Sequence, residues 1–275
     1  MPLPAGARGR LTDGELADRL DTAWSGRLRG VDARVSIALR SASASVASRD
    51  ASASHYAAST IKLAVLGAWL ETGRTDDLLV HAEFASATGG RFAVLQSDDQ
   101  DDETWAALGT ALGSAVLARR MIQLSGNLAT DLLAEAVGLD AVAAYLERAG
   151  LAAALSMRRL IGDAAAETAG ITNSVTAAGL AELLSALACD PGALGMLAGQ
   201  RHRNLIPAGL PDGTWTASKS GWVPGVRHDV ALVRPGGAPE YVLAVCTSGS
   251  ADDEAELMIK DLSRLTYEEW MRWHA

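Results

Sequence analysis

The sequence predicts an α+β fold, a mixed α/β architecture in which an antiparallel β-sheet flanked by N- and C-terminal helices adjoins a large all-helical lobe. Alternating apolar and polar residues, the pattern of half-buried strands, occur in two blocks near the two ends of the chain. The long stretch between these blocks has apolar residues at helical spacing. We therefore expect a discontinuous sheet domain, residues 1–55 and 205–275, and a helical domain, residues 56–204, with the ligand cleft at their junction.

The first strand block is preceded by a helix. Residues 11–29 have apolar side chains near the helical period and acidic residues towards the start, which the helix dipole favours. Residues 31–42 then alternate as a strand, and a second short strand is expected over residues 43–49. Small polar residues from 50 to 58 form a loop that leads into the helical stretch.

The central stretch is mainly helical as far as about residue 199. Glycines and one Asp-Pro pair interrupt it and mark the ends of its helices. The expected helices are residues 60–71, 104–112, 114–124, 128–137, 139–149, 176–188 and 191–198.

The second strand block contains three strand-like runs, residues 213–220, 226–234 and 240–247. A Pro-Gly-Gly-Ala-Pro segment joins the second run to the third and is typical of a hairpin connection. A final helix is expected over residues 251–273, with an acidic start. Both terminal helices are expected to pack on the shared sheet.

Composition argues against several classes of protein. The 275 residues carry a net charge of −9 and no Lys/Arg-rich stretch, which argues against a nucleic-acid or anionic-membrane partner. The two cysteines, Cys189 and Cys246, are far apart in sequence, so neither a disulfide framework nor a zinc site is expected. Both are interpreted as small buried hydrophobic residues, one at a helix end and one in a strand.

The N-terminal region has no evident secretory signal. It carries many charged side chains and no apolar run of the length that export or a bilayer span requires. Met1 followed by Pro2 is also unlike a trimmed secretory start. We therefore expect a cytoplasmic protein, or an exported one if a leader has been removed.

The first candidate motif is Ser59-Thr60-Ile61-Lys62, at the start of the lobe's first predicted helix. Three residues make nearly one helical turn, so Ser59 and Lys62 share a face and an amine stands beside a hydroxyl. A lysine whose pKa is lowered by burial or by nearby positive charge can activate a serine as a nucleophile. The alternative is an N-cap serine with a solvated lysine, but the helix has no other charge until Glu71, which favours a functional Lys62.

Two further candidate motifs fall in turns. Ser125-Gly126-Asn127 lies between two predicted helices, and alone it is typical of a helix–helix turn. Lys219-Ser220-Gly221 ends a predicted strand, and alone it is typical of an exposed strand end with a turn glycine.

Together, the order of these three motifs resembles that of the class A β-lactamase-like, penicillin-recognising serine hydrolases. Ser-x-x-Lys opens a buried helix, Ser-x-Asn lies in an interhelical turn and Lys-Ser/Thr-Gly ends a strand, which is the context that this family needs. The resemblance covers nearly the whole chain. It implies a β-lactamase/transpeptidase-like fold with the active site at the junction of the two lobes.

The resemblance also implies roles for the residues of the first two motifs. Ser59 would be the acylated nucleophile and Lys62 the acylation base or proton shuttle. Ser125 would donate a proton to the leaving amine. Asn127 would bind the acylamino carbonyl of the substrate and hold Lys62. The oxyanion hole would consist of the backbone N–H groups of Ser59 and Trp222.

By the same resemblance, the third motif binds the charged end of the substrate. Lys219 would raise the local potential. Ser220 and Gly221, together with Arg227 on the following strand, would bind a substrate carboxylate.

The sequence departs from the family pattern at the residue that activates water for deacylation. Hydrolytic enzymes of this class use a loop glutamate in a Glu-x-x-x-Asn pattern, which is not evident here. Asp163 and Glu167 are the nearby carboxylates, but Glu167 stands six residues before Asn173, and both are equally typical of a solvated loop.

The sequence also departs from the family pattern at the other motifs. Gly126 replaces a common aspartate. Trp222 stands where a small residue is usual, so its indole would wall the pocket or shift substrate choice.

Two other pairs lie close to the motifs. In His228-Asp229, adjacent strand residues point to opposite faces, so at most one of the two can reach the site. His55-Tyr56 stands just before Ser59 in the sequence.

The sequence therefore predicts a serine acyl-enzyme hydrolase that opens a β-lactam or a related small amide or ester, without a metal or an organic cofactor. Acylation chemistry is well supported, whereas rapid deacylation is not. The alternatives are a cytoplasmic esterase or peptidase, a biosynthetic acyltransferase, a penicillin-binding-like protein that deacylates slowly, and a non-catalytic binding protein. The sequence predicts neither the substrate nor the oligomeric state.

Overall fold

A computed structural model describes residues 13–73 and 75–275 of the chain. The helices in chain order are α1 (Asp13–Arg27), α2 (Lys62–Thr72), α3 (Asp102–Trp105), α4 (Ser114–Gln123), α5 (Asn127–Val137), α6 (Leu139–Arg148), α7 (Ala164–Thr168), α8 (Ala177–Leu187), α9 (Pro191–Ala198) and α10 (Asp252–His274). The strands are β1 (Arg34–Ser41), β2 (Ser45–Arg49), β3 (His55–Tyr56), β4 (Asp77–Leu79), β5 (Glu83–Ala85), β6 (Arg91–Ala93), β7 (Ala111–Gly113), β8 (Leu155–Ser156), β9 (Ser174–Val175), β10 (Trp215–Val223), β11 (Val226–Arg234) and β12 (Tyr241–Ser248).

The main sheet joins the two ends of the chain. Its five strands lie in the order β10-β11-β12-β1-β2, and every neighbouring pair is antiparallel. The N-terminal strand β1 therefore pairs with the C-terminal strand β12, with Ile37 opposite Val245. Strand β10, which carries Lys219, lies at one edge of this sheet.

Each face of the sheet is covered by a separate apolar cluster. On one face, Ile37, Leu243 and Val245 pack with side chains of α1 and α10. On the other face, Val230 and Ala244 pack against the buried side chains of the helical lobe. Because successive residues of a strand point to opposite faces, Lys219 and Ser220 face different clusters.

The fold class predicted from the sequence is confirmed, including the terminal helices on the sheet and the mostly helical lobe. The predicted helix over residues 104–112 is wrong, because α3 ends at Trp105 and residues Ala111–Gly113 form strand β7 instead. Strand β7 pairs with β4, so a long-range pairing overrides the local helical pattern there. The two-residue and three-residue strands of the lobe were not predicted. Residues 11 and 12 of the predicted N-terminal helix lie outside the described residues.

The two cysteines are free thiols in different environments. Cys246 lies in β12 and is fully buried, as predicted. Cys189, just beyond the end of α8, is exposed, so its predicted burial is wrong. The chain leaves the core at this point, between α8 and Asp190, the N-cap residue of α9.

Candidate active site

The segment that carries Ser59 is held in a strained turn. Ser59 lies in the 3₁₀ turn Ala58–Ile61, which runs directly into α2. Ala58 has φ of +44°, in the left-handed region that non-glycine residues rarely adopt. Hydrogen bonds hold the turn, from Thr60 Oγ1 to the Ala57 carbonyl (2.6 Å) and from the Ala57 N–H to the Asn173 carbonyl (3.0 Å). Backbone strain of this kind persists only where the surroundings enforce it, and it concentrates at functional sites.

A glycine brings the edge strand against this turn. A Cβ atom at Gly221 would lie 2.8 Å from the backbone nitrogens of both Ser59 and Thr60, closer than real Cβ atoms approach. Only a residue without a side chain therefore lets β10 run alongside the serine. Trp222, the next residue of β10, lines the same cleft as Ser59.

Lys62 is fully buried beside this turn. Its Nζ donates hydrogen bonds to the Ser125 carbonyl (2.5 Å), to Asn127 Oδ1 (2.8 Å) and to Ser125 Oγ (3.3 Å). The first motif of the sequence is thus brought directly onto the second.

A second buried amine reaches the same serine. Lys219 Nζ donates to Ser125 Oγ (3.0 Å) and to the Ser220 carbonyl (2.6 Å), and its side chain is fully buried. Ser125 is also fully buried and has φ of +61°. Its hydroxyl therefore lies between two amines, and its backbone conformation is the second strained one at the site.

Burial lowers the pKa of both lysines. Desolvation brings the pKa of Lys62 down to about 8, although the negative charges of Asp99 and Asp131 oppose that change. Desolvation and the nearby charge of Lys62 hold the pKa of Lys219 well below its usual range, against the charge of Asp229. A lysine with a pKa near neutrality can serve as a proton acceptor, as an acylation base must.

Asp99 anchors the turn that carries Asn127, and the sequence did not point to it. Asp99 Oδ1 accepts from the Asn127 N–H and Asp99 Oδ2 from the Leu128 N–H, both at 2.8 Å, at the start of α5. Asn127 Nδ2 donates to the Asp98 carbonyl (2.7 Å), which fixes the orientation of the amide. The run of acidic residues from 98 to 103 was the available signal, but such runs are usually solvated.

Gly126, where an aspartate is common in the family, lies against a carboxylate from another segment. A Cβ atom at Gly126 would lie 3.1 Å from Asp101 Oδ2. Asp101 is buried, caps α3 through the Thr104 N–H (3.2 Å) and lies 3.7 Å from the guanidinium of Arg120. A negative charge is therefore present beside the second motif, although Gly126 itself supplies none.

The two candidate deacylation carboxylates occupy different places. Asp163 is fully buried and caps α7, and it accepts from Ser86 Oγ (2.9 Å) and the Ala87 N–H (2.8 Å). Burial raises its pKa, but these hydrogen bonds outweigh that effect, so the net pKa is lowered. Glu167 does line the cleft, about half exposed, with its carboxylate 2.9 Å from the guanidinium of Arg159.

The residues predicted to bind a substrate carboxylate also differ in placement. Arg227 is bound to acidic groups of α10, with its guanidinium 2.7 Å from Asp252 and 3.8 Å from Glu256. Ser220 is fully buried with no hydrogen-bond partner for its Oγ, and it lies directly opposite Asp229 across the strand pair.

The two histidines of these pairs lie beside the segment that precedes Ser59, whereas Tyr56 lines the cleft. His55 and His228 are buried and meet edge to face, with ring centroids 5.4 Å apart. His228 Nε2 lies 2.7 Å from the Tyr56 carbonyl, and His55 is bonded to Ser36 and Ser248. Burial lowers the pKa of His55 to about 4 and also lowers that of His228, so both are neutral supports for the loop before Ser59.

Ser59 opens onto a cleft of about 480 Å³ between the two lobes. Besides Ser59, the residues that line it include Asn127, Ile161, Glu167, Asn173 and Trp222. Trp222 forms part of the cleft wall, as its size led us to expect. Its indole also packs edge to face against His202, with ring centroids 4.7 Å apart.

Over residues 13–73 and 75–275, no cluster of three or more His, Cys, Asp or Glu side chains has the geometry to hold a metal ion. Within the same ranges no single helix is long and apolar enough to cross a membrane, although α8 and α9 together would reach the length and composition across a bend of 119°.

Solved structures with the same fold include β-lactamases and a protein described as PBP-A. A β-lactamase from Xanthomonas campestris has a TM-score of 0.77 at 19% identity, over 92% of this chain and 98% of its own. A β-lactamase from Sphaerobacter thermophilus has 0.74 at 22%, over 93% and 97%. PBP-A has 0.75 at 20%, over 94% and 97%. No curated protein matches the sequence.

The fold is that of the β-lactamases. The sequence profile of the Beta-lactamase enzyme family matches residues 19–270, nearly the whole chain, and this family supports a hydrolase. The chain belongs to this family, and the resemblance to the class A β-lactamase-like enzymes is confirmed.

Proposed function

We propose that the chain is a serine acyl-enzyme hydrolase that opens a β-lactam, or a related amide or ester, through an acyl-Ser59 intermediate and releases the product slowly. The observation that carries the proposal is the convergence of Lys62 and Lys219 on Ser125 Oγ, beside a serine turn that Gly221 allows the edge strand to approach.

The proposed acylation uses Ser59, Lys62 and Ser125, and the contact between Lys62 Nζ and Ser125 Oγ supports it. Lys62, as the free amine, accepts the hydroxyl proton of Ser59 while Oγ attacks the carbonyl carbon of the substrate. The N–H groups of Ser59 and Trp222 stabilise the oxyanion of the tetrahedral intermediate. As the C–N bond breaks, Ser125 Oγ gives its proton to the leaving nitrogen and is reprotonated by Lys62, whose Nζ is 3.3 Å away. One proton thus passes from Ser59 to the leaving group.

Deacylation has weaker support from the residues around the cleft. Water needs a general base near the acyl carbon. Asp163 is committed to the cap of α7, and Glu167 is paired with Arg159. Ile161 also lines the cleft, and its side chain has no proton acceptor. We therefore expect the acyl-enzyme to accumulate, as in a penicillin-binding protein or a slow β-lactamase.

Intact-protein mass spectrometry over time, with a penicillin and a cephalosporin, tests the proposal, with Ser59→Ala as the control. A long-lived adduct that requires Ser59 is the expected result. An adduct that clears within seconds while the lactam opens would contradict slow release. If neither an adduct nor lactam loss occurs, β-lactams are not substrates, and the same assay with activated esters tests the esterase alternative.

A further inference from the structure

Helix α5 carries an ionisable side chain one turn beyond Asn127. Residues four apart share a face of an α-helix, so Asp131 lies on the same side as Asn127, which binds Lys62. Asp131 is fully buried. Its Oδ1 accepts a hydrogen bond of 2.8 Å from the Ile161 N–H, and its Oδ2 has no hydrogen-bond partner among the residues that the structure describes. The acylation steps proposed above leave this carboxyl group without a role.

Burial dominates the protonation of both Asp131 and Lys62. It raises the pKa of Asp131 well above its usual range, against the Ile161 N–H and the positive charges of Lys62 and Arg159. It lowers the pKa of Lys62 to about 8, against the negative charges of Asp99 and Asp131. Each member of the pair therefore stabilises the charged form of the other, in an interior that disfavours both charges.

We propose that Asp131 is a positioning residue that acts through Lys62: its carboxylate holds Lys62 as the ammonium ion, and its protonation leaves Lys62 as the free amine that accepts the Ser59 proton. The unpartnered Oδ2 supports this role, because that oxygen can gain a proton without breaking a hydrogen bond. As Lys62 loses one proton and Asp131 gains one, the net charge of the buried pair is unchanged. The effect on rate rests on the proposed acyl-serine function, whereas the electrostatic link does not.

Other charged groups near this pair also affect the pKa values of Lys62 and Asp131. Asp99, from the segment before α3, stabilises the ammonium form of Lys62 and disfavours the carboxylate of Asp131. Lys219, from β10, carries a pKa that the charge of Lys62 lowers. His202 is half-buried, and after burial itself the charges of both lysines lower its pKa. A substitution of Asp131 alone leaves all of these groups in place.

Lysine-specific NMR measures the link directly. The chain contains three lysines, Lys62, Lys219 and Lys260, so lysine labelled with carbon-13 at Cε gives three side-chain signals. Lys260 lies on α10 with its side chain 35% exposed and provides an internal reference. The Lys62→Met and Lys260→Arg variants assign the signals.

Asp131→Asn is the informative variant, since the amide oxygen still accepts from the Ile161 N–H while the charge is gone. We expect the Lys62 midpoint to fall below that of the wild type, because the variant removes a negative charge that favours the ammonium form of Lys62. Asp229→Asn is the matched control. Asp229 is equally buried, but its negative charge favours the ammonium form of Lys219, so its removal should shift the Lys219 midpoint more than the Lys62 midpoint. A Lys62 midpoint that is the same in Asp131→Asn and in the wild type would overturn the proposal.

The pH profile of acylation separates this inference from the proposed function. The ascending limb of the acylation rate in Asp131→Asn should move to lower pH by the same amount as the Lys62 midpoint. If the midpoint moves and the limb does not, Asp131 controls Lys62, but Lys62 is not the acylation base. If Asp131→Asn does not fold, the titration of Asp131 is followed instead in the wild-type protein, with aspartate labelled with carbon-13 at Cγ. Titration of Asp131 that leaves the Lys62 signal unchanged would then refute the link.

Discussion

Replacement of Gly221 by alanine tests the idea that the edge strand must touch the nucleophile turn. The new Cβ would lie 2.8 Å from the nitrogens of Ser59 and Thr60 and 3.2 Å from Thr60 Cγ2. Two of these three atoms belong to the backbone, so no side-chain rotation relieves the contact. Strand β10 must therefore move away from the turn by several tenths of an ångström.

The displacement acts on catalysis more than on stability. It separates the N–H groups of Ser59 and Trp222, and the loss of one oxyanion-hole donor typically costs about 3–4 kcal/mol, or about 10²–10³ in rate. Overpacking of a well-packed interior typically costs about 1–3 kcal/mol of stability. We expect a folded Gly221→Ala protein whose acylation is slower by about two to three orders of magnitude.

The assay is the rate of Ser59 acylation at saturating penicillin, followed by intact mass, with unfolding in urea measured in parallel. Gly236→Ala is the matched control, because Gly236 lies in the turn between β11 and β12, where a Cβ would have no atom within 4 Å. Equal acylation rates in the two variants would refute the reasoning that the close approach at Gly221 builds the oxyanion hole.

Three other results are expected. Ile161→Glu places a carboxylate in the cleft and should shorten the acyl-enzyme lifetime by about 10²-fold or more, since a general base contributes about 10²–10⁴ to a rate. Ile161→Gln supplies no base and should leave the lifetime unchanged. Equal lifetimes in the two variants would refute the idea that a missing base slows deacylation. Because burial lowers the pKa of Lys62 to about 8, its free amine exists mainly above that pH, so acylation should rise from pH 6 through pH 8 and level off only above it; a rate that is flat from pH 6 to 8 contradicts Lys62 as the base. Asp99→Ala removes the acceptor for the Asn127 and Leu128 N–H groups and should lower the free energy of unfolding in urea by about 2–3 kcal/mol, with slower acylation; an unchanged unfolding curve would contradict this anchoring role.

The parts of the site that the sequence predicts are those that depend on local spacing. Ser59 and Lys62 share a face because they are three residues apart, and the strand that carries Lys219 was recognisable from its pattern. The expected strand end at Lys219-Ser220-Gly221 is wrong, because β10 continues to Val223. The position of Asp99 was not predictable, because its partners at the start of α5 are contributed by a segment 28 residues away. The same holds for Asp131, whose partner Ile161 follows it by 30 residues.

Long-range pairing also explains the errors in the fold. Residues 104–112 have a helical composition, but the last two, Ala111 and Leu112, pair with β4 in strand β7. The exposure of Cys189 depends on the exit of the chain from α8, which its apolar neighbours do not reveal. In both cases a tertiary arrangement overrides a correct local tendency.

The site combines several features that oppose stability. Ala58 and Ser125 have left-handed backbone conformations, each of which costs about 1–3 kcal/mol. Lys62 and Lys219 are fully buried amines whose charges disfavour each other. None of the four features helps the chain to fold. Ala58 lines the cleft beside Ser59, and the two lysines meet at Ser125. The proposed acylation accounts for their persistence, because it uses the serine of a strained turn and a lysine that loses its proton near neutral pH. Asp131 fits the same pattern, since a buried carboxyl group with an unpartnered oxygen destabilises the fold, and the proposed link to Lys62 gives it a role.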